Sequence, residues 1–516
     1  EKTFNNSSTK NLSWFFDDFI KSTKKIDYKI QHVSRKNATT YHIKLKNKTG
    51  FPAPIAVTGI NNKDSTITFS KWITGFKKDT LFTIKTKEEL SNFQLNYNNI
   101  STDINTSNNF SRTKGLFKKV APIKLKLLSG IENPSNTNIY FSPLLGWNNY
   151  DRLMPGIAVY NSLILEKKLE WGIHPMYSTS NKSLVGTGSI NYQLYPEKLF
   201  SRVSIGYSLN TFFHQPVVAN DRWMRNELFA HFKFKSKNIR TSAAQSIQIK
   251  TIRIDENIFS GNFTYPLESF PQTSYFNVIE YQLKNKQFLT PKGVNIKYIQ
   301  GFRQDQALIS SLQLTANYRI NYNKKLNGFE LRFFGGYNFF SSSSRYNFLM
   351  RGQDGYHDYL YERTYLGRNT GFPNMLFQQS SNSHGAFKIN TAIGRPEKWL
   401  IATNLKLEIP KVPIGLFSDL GVFPNYEVFY NPSTGSTEES KTIEPMLNAG
   451  FYFSIKANNK AFLSVYFPLL YSQNIKTSAV YSAVNSIKDL DFLQKITFVI
   501  ALDNINPRNL IKDFGP

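Results

Sequence analysis

The stretch that decides the fold reads Leu312-Gln313-Leu314-Thr315-Ala316-Asn317-Tyr318-Arg319-Ile320-Asn321-Tyr322. Its six even-numbered residues are apolar or aromatic, and its five odd-numbered residues are polar. Because successive side chains of a β-strand point to opposite faces, this pattern predicts a strand with one apolar and one polar face. The same alternation recurs over residues 203–210, 294–298 and 401–409.

The length of these stretches separates two kinds of β-sheet. Strands of soluble sheets usually have about five or six residues, whereas a strand that crosses a bilayer at the tilt of a barrel needs about 9–11. The longest alternating stretches reach the second length, and Trp171, Trp223 and Trp399 lie near strand ends, as in the aromatic girdles of membrane barrels. The pattern favours an outer-membrane β-barrel over the alternative of a soluble antiparallel sheet.

The connections between the predicted strands are of two alternating kinds, short turns and longer loops. The seven turns lie near residues 166–168, 196–198, 235–238, 284–286, 323–328, 410–413 and 457–459. The eight loops are 147–152, 178–183, 214–221, 255–273, 303–307, 342–398, 424–444 and 472–490. This arrangement predicts an all-β, 16-stranded antiparallel barrel. Outer-membrane barrels keep short turns in the periplasm, so both barrel ends and the N-terminal unit are expected there.

The first 112 residues form a separate β-rich unit. Six short strands at a spacing of roughly ten residues favour a small β-sandwich of immunoglobulin type. They are expected at Tyr28–Lys36, Tyr41–Lys46, Pro54–Ile60, Ile67–Phe69, Thr80–Ile84 and Phe93–Tyr97, after a short helix or cap at Trp14–Ile20. The expected domains are a sandwich over 1–112, a linker over 113–136, the barrel over 137–503 and a periplasmic tail over 504–516.

Composition limits the classes of partner and cofactor. The chain has 516 residues, with 63 Lys and Arg against 36 Asp and Glu, which gives a net charge of +27. Nucleic acid is nevertheless not expected as a partner, because the basic residues are scattered and no nucleic-acid-binding signature is present. The absence of cysteine excludes disulfides and Cys-ligated metal sites. The chain opens at Glu1 without a signal-like segment, which indicates a mature product or a fragment.

No catalytic motif is recognisable. None of the seven histidines is followed by Glu, so the His-Glu-x-x-His motif of zinc peptidases is absent. The Gly-x-Ser-x-Gly motif, the P-loop and the dinucleotide fingerprint are absent too. We therefore expect no catalytic residue, no metal ligand and no cofactor in this chain; zinc would be present only if a catalytic domain lay upstream.

The loop 342–398 is unusually long for a connection without predicted secondary structure, so its length requires an explanation. It could be a disordered extracellular loop, or a lid folded into the barrel, where polar side chains of the wall form hydrogen bonds with the polar groups of the loop. The lid hypothesis predicts that Arg351 pairs with Asp419 on the lumen wall, with Glu408 as second choice, and that Gly352 lets the loop backbone pass close to that wall. The residues expected at this site are Arg351, Gly352, Asp354, Gly355, Tyr356, Asp419 and Glu408.

Several segments resemble a bacterial subgroup of aminopeptidase-N-type zinc peptidases that carries an appended barrel. The segments are Asn47-Lys48-Thr49-Gly50 with Pro52, Asp103-Ile104-Asn105, Asn108-Asn109, residues 124–132, residues 146–151 and His174-Pro175-Met176-Tyr177. The resemblance implies that the chain is the C-terminal part of a longer peptidase-like protein. The zinc domain of that subgroup has no counterpart here, so no zinc ligand or catalytic residue carries over.

The last third also resembles the BamA-like barrel-assembly family. The matching motifs are Arg351-Gly352, Glu408-Ile409-Pro410, Phe417-Ser418-Asp419-Leu420-Gly421 and Val465-Tyr466-Phe467-Pro468-Leu469. In the lid motif Gln353 stands where the family has an aromatic residue. The resemblance implies sixteen strands, with a lid loop between the eleventh and the twelfth.

These observations predict an outer-membrane anchor and structural subunit of a peptidase-like envelope protein, within a larger complex such as one for protein assembly. Two alternatives stay open: a membrane-tethered zinc metallopeptidase with its catalytic domain upstream, and a channel. The expected partners are outer-membrane lipids, lipopolysaccharide, and other outer-membrane or periplasmic proteins such as the barrel-assembly machinery.

Overall fold

The computed structural model contains two compact units, residues 1–141 and 142–516. The structure describes residues 14–501, except 22–24, 62–65, 99, 131–135, 163–165, 197, 215–220, 237–240, 261–267, 324–326, 369–373, 432–435, 458–459 and 478–486. The expected tail 504–516 lies outside the described residues.

The N-terminal unit is a β-sandwich. After a π-helix at Trp14–Ile20, its strands are β1 Tyr28–Arg35, β2 Thr40–Asn47, β3 Ile55–Asn61, β4 Thr66–Ile73, β5 Asp79–Lys85, β6 Asn92–Leu95 and β7 Phe110–Arg112, with a 3₁₀ turn at Thr106–Asn108. One sheet has the order β1-β2-β5 and the other β4-β3-β6-β7. Both sheets bury side chains in one shared core. The six predicted strands are present, together with a seventh; the immunoglobulin-type assignment stays a prediction.

The range 113–136, expected to be a linker, contains a strand. Strand β8 covers Ile123–Leu127 and pairs in parallel with β9, Thr137–Asn148. The sequence of β8 alternates apolar residues with two lysines, so it has the same two-faced pattern as the longer strands. This short parallel pair was not anticipated, because five residues carry a weak periodicity signal.

The remaining strands form the barrel. They are β10 Arg152–Tyr160, β11 Leu169–Ser178, β12 Ser183–Leu194, β13 Phe200–Phe213, β14 Arg222–Phe234, β15 Ala243–Ser260, β16 Glu268–Asn285, β17 Lys292–Arg303, β18 Gln306–Asn321, β19 Gly328–Ser341, β20 Trp399–Glu408, β21 Ile414–Asn431, β22 Ser436–Ala457, β23 Lys460–Tyr471 and β24 Thr497–Ile500. From β10 to β24 the strands are neighbours in chain order within one closed sheet. The sixteen strands β9–β24 confirm the predicted barrel, and β8 is a seventeenth member of the sheet.

Helices are short in the barrel unit. They comprise 3₁₀ turns at Ser344–Tyr346, Met375–Gln378 and Ile487–Asp489, and the α-helices α1 Gln473–Thr477 and α2 Phe492–Lys495. None of the described helices is both long and apolar enough to span a membrane.

Two of the predicted loops are mostly strand. The range 255–273 is largely occupied by β15 and β16, which pair from Ala243↔Asn285 to Ser260↔Glu268. The range 424–444 is likewise occupied by β21 and β22, which pair from Ile414↔Phe453 to Asn431↔Ser436. Backbone hydrogen bonding extends an antiparallel hairpin whatever its side chains are. The loss of apolar alternation therefore marked the end of the apolar face rather than the end of the strand.

The two faces of the barrel wall are as predicted. In β18, Leu312, Leu314 and Ile320 are exposed on the outer face. On the inner face, the guanidinium of Arg319 pairs with Glu330 at 3.1 Å and with Glu408 at 2.7 Å. The barrel thus has an exposed apolar exterior and a charged interior.

Candidate functional site

The connection between β19 and β20, residues 342–398, packs against the inner face of the barrel and is called the plug below. It hydrogen-bonds to wall residues on seven strands. These residues include Arg225 on β14, Glu256 on β15, Lys297 on β17, Arg332 on β19, Asn404 on β20, Asp419 on β21 and Thr497 on β24. Since these strands lie around the circumference of the barrel, the plug reaches across the lumen.

The first half of the plug, residues 342–368, is tied to the wall at Glu256. Arg345 donates two hydrogen bonds to this carboxylate, at 2.7 and 2.9 Å. The hydroxyl of Tyr361 donates to the same carboxylate at 2.5 Å. Glu256 is buried, and a bidentate guanidinium–carboxylate pair is among the strongest polar contacts. This contact fixes both ends of the Arg345–Tyr361 segment to β15.

Glu362 makes a second ionic contact between the first half and the wall. Its two carboxylate oxygens lie 3.2 Å from Lys250 Nζ and 2.6 Å from Lys297 Nζ. Burial would raise the pKa of this carboxyl, but the two lysines outweigh it and hold the pKa below its ordinary value. Beside it, Arg225 Nε donates to the carbonyl of Leu360 at 2.8 Å. Two lysines and one arginine of the wall thus bind the plug at residues 360–362.

The second half of the plug, residues 374–398, is held at Asp419, a buried residue of β21. The carboxylate of Asp419 accepts from the backbone N–H of Lys388 at 3.0 Å. It also accepts from the amides of Asn404 at 2.8 Å and Asn448 at 3.3 Å. One wall carboxylate therefore organises three strands and the plug main chain.

Other wall side chains bind carbonyl oxygens of the second half. Arg332 donates to the carbonyl of His384 at 2.9 Å, and Asn404 donates to that of Gly385 at 2.9 Å. Thr497 donates to the carbonyl of Lys388 at 2.8 Å. A buried carbonyl without a partner is costly, so these donors make an irregular backbone stable inside the barrel.

Each half of the plug also has its own apolar contact with the wall. In the first half, Tyr359 and Leu360 pack with Ile252 and Phe276 of β15 and β16. In the second half, Phe387 and Ile389 pack with Leu400 of β20, together with Met350 of the first half. These clusters add apolar packing to the polar contacts that hold the plug against the wall.

The predicted pair between Arg351 and Asp419 is wrong. Arg351 forms an ion pair with Asp354, three residues away, and its guanidinium lies 5.1 Å from the ring centre of Phe377. Asp354 also accepts from the backbone N–H of His357 at 2.9 Å. Asp419 is already bonded to three donors, and a local carboxylate satisfies Arg351 with less ordering of the chain. Within the described residues, no contact joins Arg351 to Asp419 or Glu408.

The two predicted glycines are close-packed against plug backbone. Gly352 has a φ of +84°, and a Cβ there would lie 2.7 Å from the carbonyl oxygen of Ser381. A Cβ on Gly355 would lie 1.9 Å from the carbonyl oxygen of Arg368. The expectation that Gly352 approaches the barrel wall is therefore wrong, because its close neighbour belongs to the plug itself.

The remaining predicted residues, Tyr356 and Glu408, have different partners in the structure. Tyr356 is exposed, and the guanidinium of Arg345 lies 5.3 Å from its ring centre. Glu408, at the end of β20, pairs with Arg319 at 2.7 Å and with Lys456 at 2.9 Å. Glu408 therefore belongs to an ionic cluster of the wall and not to the contacts of Arg351.

Sequence reasoning missed the residues that join plug and wall, above all Glu256, Glu362 and Lys388. One signal was available for Glu362, because Lys250 and Lys297 both occupy inward positions of their strands and need a counter-ion. The described residues include no group of three or more His, Asp or Glu that could hold a metal ion. The arrangement is suited to holding a loop in the lumen.

No family model matches the chain, and no curated protein matches it. Among solved structures, it is similar to CdiB from Escherichia coli at 9% identity and a TM-score of 0.30, over 65% of this chain and 59% of that one. It is also similar to BamA from Haemophilus ducreyi lacking POTRA domains 1–3, at 8% identity and a TM-score of 0.33, over 72% of this chain and 73% of that one.

The chain spans about three fifths of the CdiB structure. Nothing in these comparisons supports the resemblance to aminopeptidase-N-type enzymes.

Proposed function

We propose that this chain is an outer-membrane β-barrel with a closed lumen that serves as a membrane-embedded structural subunit of a larger envelope complex, such as one for protein assembly. Its partners are outer-membrane lipids, lipopolysaccharide and other envelope proteins, and its N-terminal β-sandwich lies in the periplasm. Chemistry at a catalytic centre is not part of this function.

The observation that carries the proposal is the exposed apolar surface of the barrel. Large apolar side chains are exposed on the outer face of strand after strand, as at Ile173, Ile205, Ile279 and Leu416. A soluble protein rarely exposes a contiguous apolar patch larger than a few hundred Å². Hydrocarbon is the surrounding that makes such a surface stable, and a barrel with a charged interior is one of two architectures that can span it.

The plug favours a structural subunit over an open channel. Its ion pairs with Glu256, Lys250 and Lys297 and its contacts with Asp419 cross the lumen at several heights. A porin-like pathway for water and ions would require these contacts to break. We therefore expect the resting barrel to conduct poorly.

A matched pair of variants tests the membrane assignment. Leu314→Arg places a charge on the outer face of β18, and we expect it to destabilise the barrel in lipid vesicles by about 2–4 kcal/mol. Thr315→Arg is the control, because Thr315 borders a cavity on the inner face. Folding into vesicles is measured on gels, where the folded chain of an unheated sample migrates differently from the unfolded chain of a heated sample. Equal behaviour of the two variants, or a chain that alkaline carbonate extracts from membranes, would contradict the proposal.

Planar-bilayer recording tests the closed lumen. The wild-type chain should insert with little steady conductance, and a variant with both Glu256→Gln and Glu362→Gln should conduct more often. Porin-like conductance of the wild type would favour the channel.

The peptidase part of the expected function stays a prediction. It requires a catalytic domain upstream of Glu1, which the intact mass of the native protein would reveal.

A further inference from the structure

A cavity of about 480 Å³ opens at the end of the barrel that carries the longer connections. It lies between the end of β15, the β17–β18 hairpin and the first half of the plug. Its lining includes Arg303, Arg345, Tyr346 and Tyr356. This volume is in the range of small-molecule sites.

The lining of this cavity includes two arginines but one carboxylate, that of Glu256. The guanidinium of Arg345 is matched by the carboxylate of Glu256 at 2.7 Å. Arg303 forms no ion pair with any described residue, and its Nε is buried without a hydrogen-bond partner among them. The guanidinium of Arg303 donates only to neutral hydroxyl groups among the described residues, to that of Ser274 at 3.4 Å and to that of Tyr346. A half-buried guanidinium without a carboxylate attracts an anion, because a charge-assisted pair is stronger in an enclosed site.

A second buried group faces the same cavity. His214 is almost completely buried, and its Nε2 lies 3.3 Å from a carboxylate oxygen of Asp221. Its other ring nitrogen, Nδ1, has no partner within the described residues. Buried polar nitrogens are nearly always hydrogen-bonded, and a ligand in the cavity would supply such a partner.

The rest of the lining indicates what kind of anion fits. Asn257, Gln306 and Ser342 offer amide and hydroxyl groups, which can both donate and accept. The ring of Tyr356 stays 51% exposed beside the guanidinium of Arg345, which lies 5.3 Å from its centre, and the exposed part offers an apolar surface. Hydroxyl-binding groups, one aromatic face and one unmatched cation together fit a polyhydroxylated ring that carries a single negative charge.

We propose that this cavity binds a sugar of one or two rings bearing a carboxylate, with Arg303 pairing the carboxylate and Tyr356 packing on a face of the ring. The site goes beyond the proposed function and does not depend on it, because binding can be measured on the purified chain in detergent micelles whatever its place in the cell.

The test uses D-glucuronate as probe, with D-glucose and acetate as comparison probes, and saturation-transfer NMR titration of the full chain. Glucuronate should bind saturably, and glucose and acetate should each bind at least about tenfold more weakly. Arg303→Gln should weaken glucuronate binding by about tenfold or more, the loss expected for one charge-assisted pair. Arg152→Gln is the matched control, because Arg152 is an exposed arginine at the start of β10 and is not part of the cavity lining.

Each other outcome overturns the proposal. If glucose binds as tightly as glucuronate, the charge has no role in binding. If acetate binds as tightly as glucuronate, the ring has no role. No saturable binding, or equal loss in the Arg303 and Arg152 variants, removes the site. Because Arg303→Gln could disturb folding, Tyr356→Ala serves as a second variant at an exposed position: it should weaken glucuronate and leave acetate unchanged, with the gel shift on heating confirming that both variants are folded.

Discussion

The two halves of the plug are bound to the barrel by different chemistry. In the first half, charged side chains of the plug meet charged side chains of the wall, as at Arg345–Glu256 and at Glu362 with Lys250 and Lys297. In the second half, wall side chains mostly bind the plug main chain, as Asp419 binds the N–H of Lys388. Ion pairs respond to salt and pH, whereas contacts to backbone groups respond mainly to packing. The first half should therefore be the part that can be released, and the second half the part that stays.

The largest effect is expected for Asp419→Ala. It removes the acceptor of the Lys388 N–H and of the amides of Asn404 and Asn448, and each buried donor left unpaired costs about 1–3 kcal/mol. We expect a loss of at least about 3 kcal/mol in the free energy of unfolding, measured by urea titration in micelles. Ser418→Ala, at the neighbouring position on the opposite face, should change little. Similar unfolding midpoints for both variants would show that Asp419 does not anchor the second half.

A smaller effect is expected for Glu256→Gln. The variant keeps the shape of the side chain but loses the charge that faces Arg345, and hydrogen bonds to charged groups contribute about 1.5–3 kcal/mol. Proteolysis of the 345–362 segment should become faster, while the 380–390 segment stays protected. If both segments are cut faster to the same degree, the two halves are one unit and the comparison fails.

Gly355→Ala tests how tightly the first half is folded on itself. A Cβ at this position would lie 1.9 Å from the carbonyl oxygen of Arg368, so the backbone must shift. Overpacking of this kind costs about 1–3 kcal/mol. Limited proteolysis should show new cleavage between residues 355 and 368 and none in the second half. Gly335→Ala is the control, because a Cβ there would meet its nearest atom at an ordinary 3.5 Å.

The smallest effect is a pH dependence that originates at Glu362. Its pKa in the folded chain is lower than in the unfolded chain, so its stabilisation is complete above the unfolded pKa of about 4.3 and is lost as the pH falls through the folded value. The gel shift gives a midpoint temperature of unfolding. The difference in this temperature between wild type and Glu362→Gln should be largest at pH 7 and should decrease below about pH 4. Glu397→Gln, at an exposed carboxylate, should show no such trend. A difference independent of pH would mean that the lysines do not hold this carboxylate.

The barrel wall could be predicted from the sequence because its cause is local. In residues 312–322, alternation alone identifies the apolar and the polar face. The sequence also predicts Asp419 on the lumen wall, and the structure buries it there. The plug could not be predicted in the same way, because Arg351 has several carboxylates within reach of a long loop. Asp354 is three residues from Arg351 in the sequence, but only the folded structure shows that the two side chains pair and that Asp419 already accepts from three other donors.

The β21–β22 hairpin has a consequence for the cell surface. Its strands have 18 and 22 residues, and at about 3.3 Å per residue the longer one extends over roughly 70 Å. Crossing the hydrocarbon takes only about 9–11 residues, so about half of β22 continues beyond it. In the proposed orientation, this part of the hairpin would be accessible to an antibody or a phage outside the cell. Sequence changes near residues 431–436 could then alter recognition of the cell while the embedded wall stays the same.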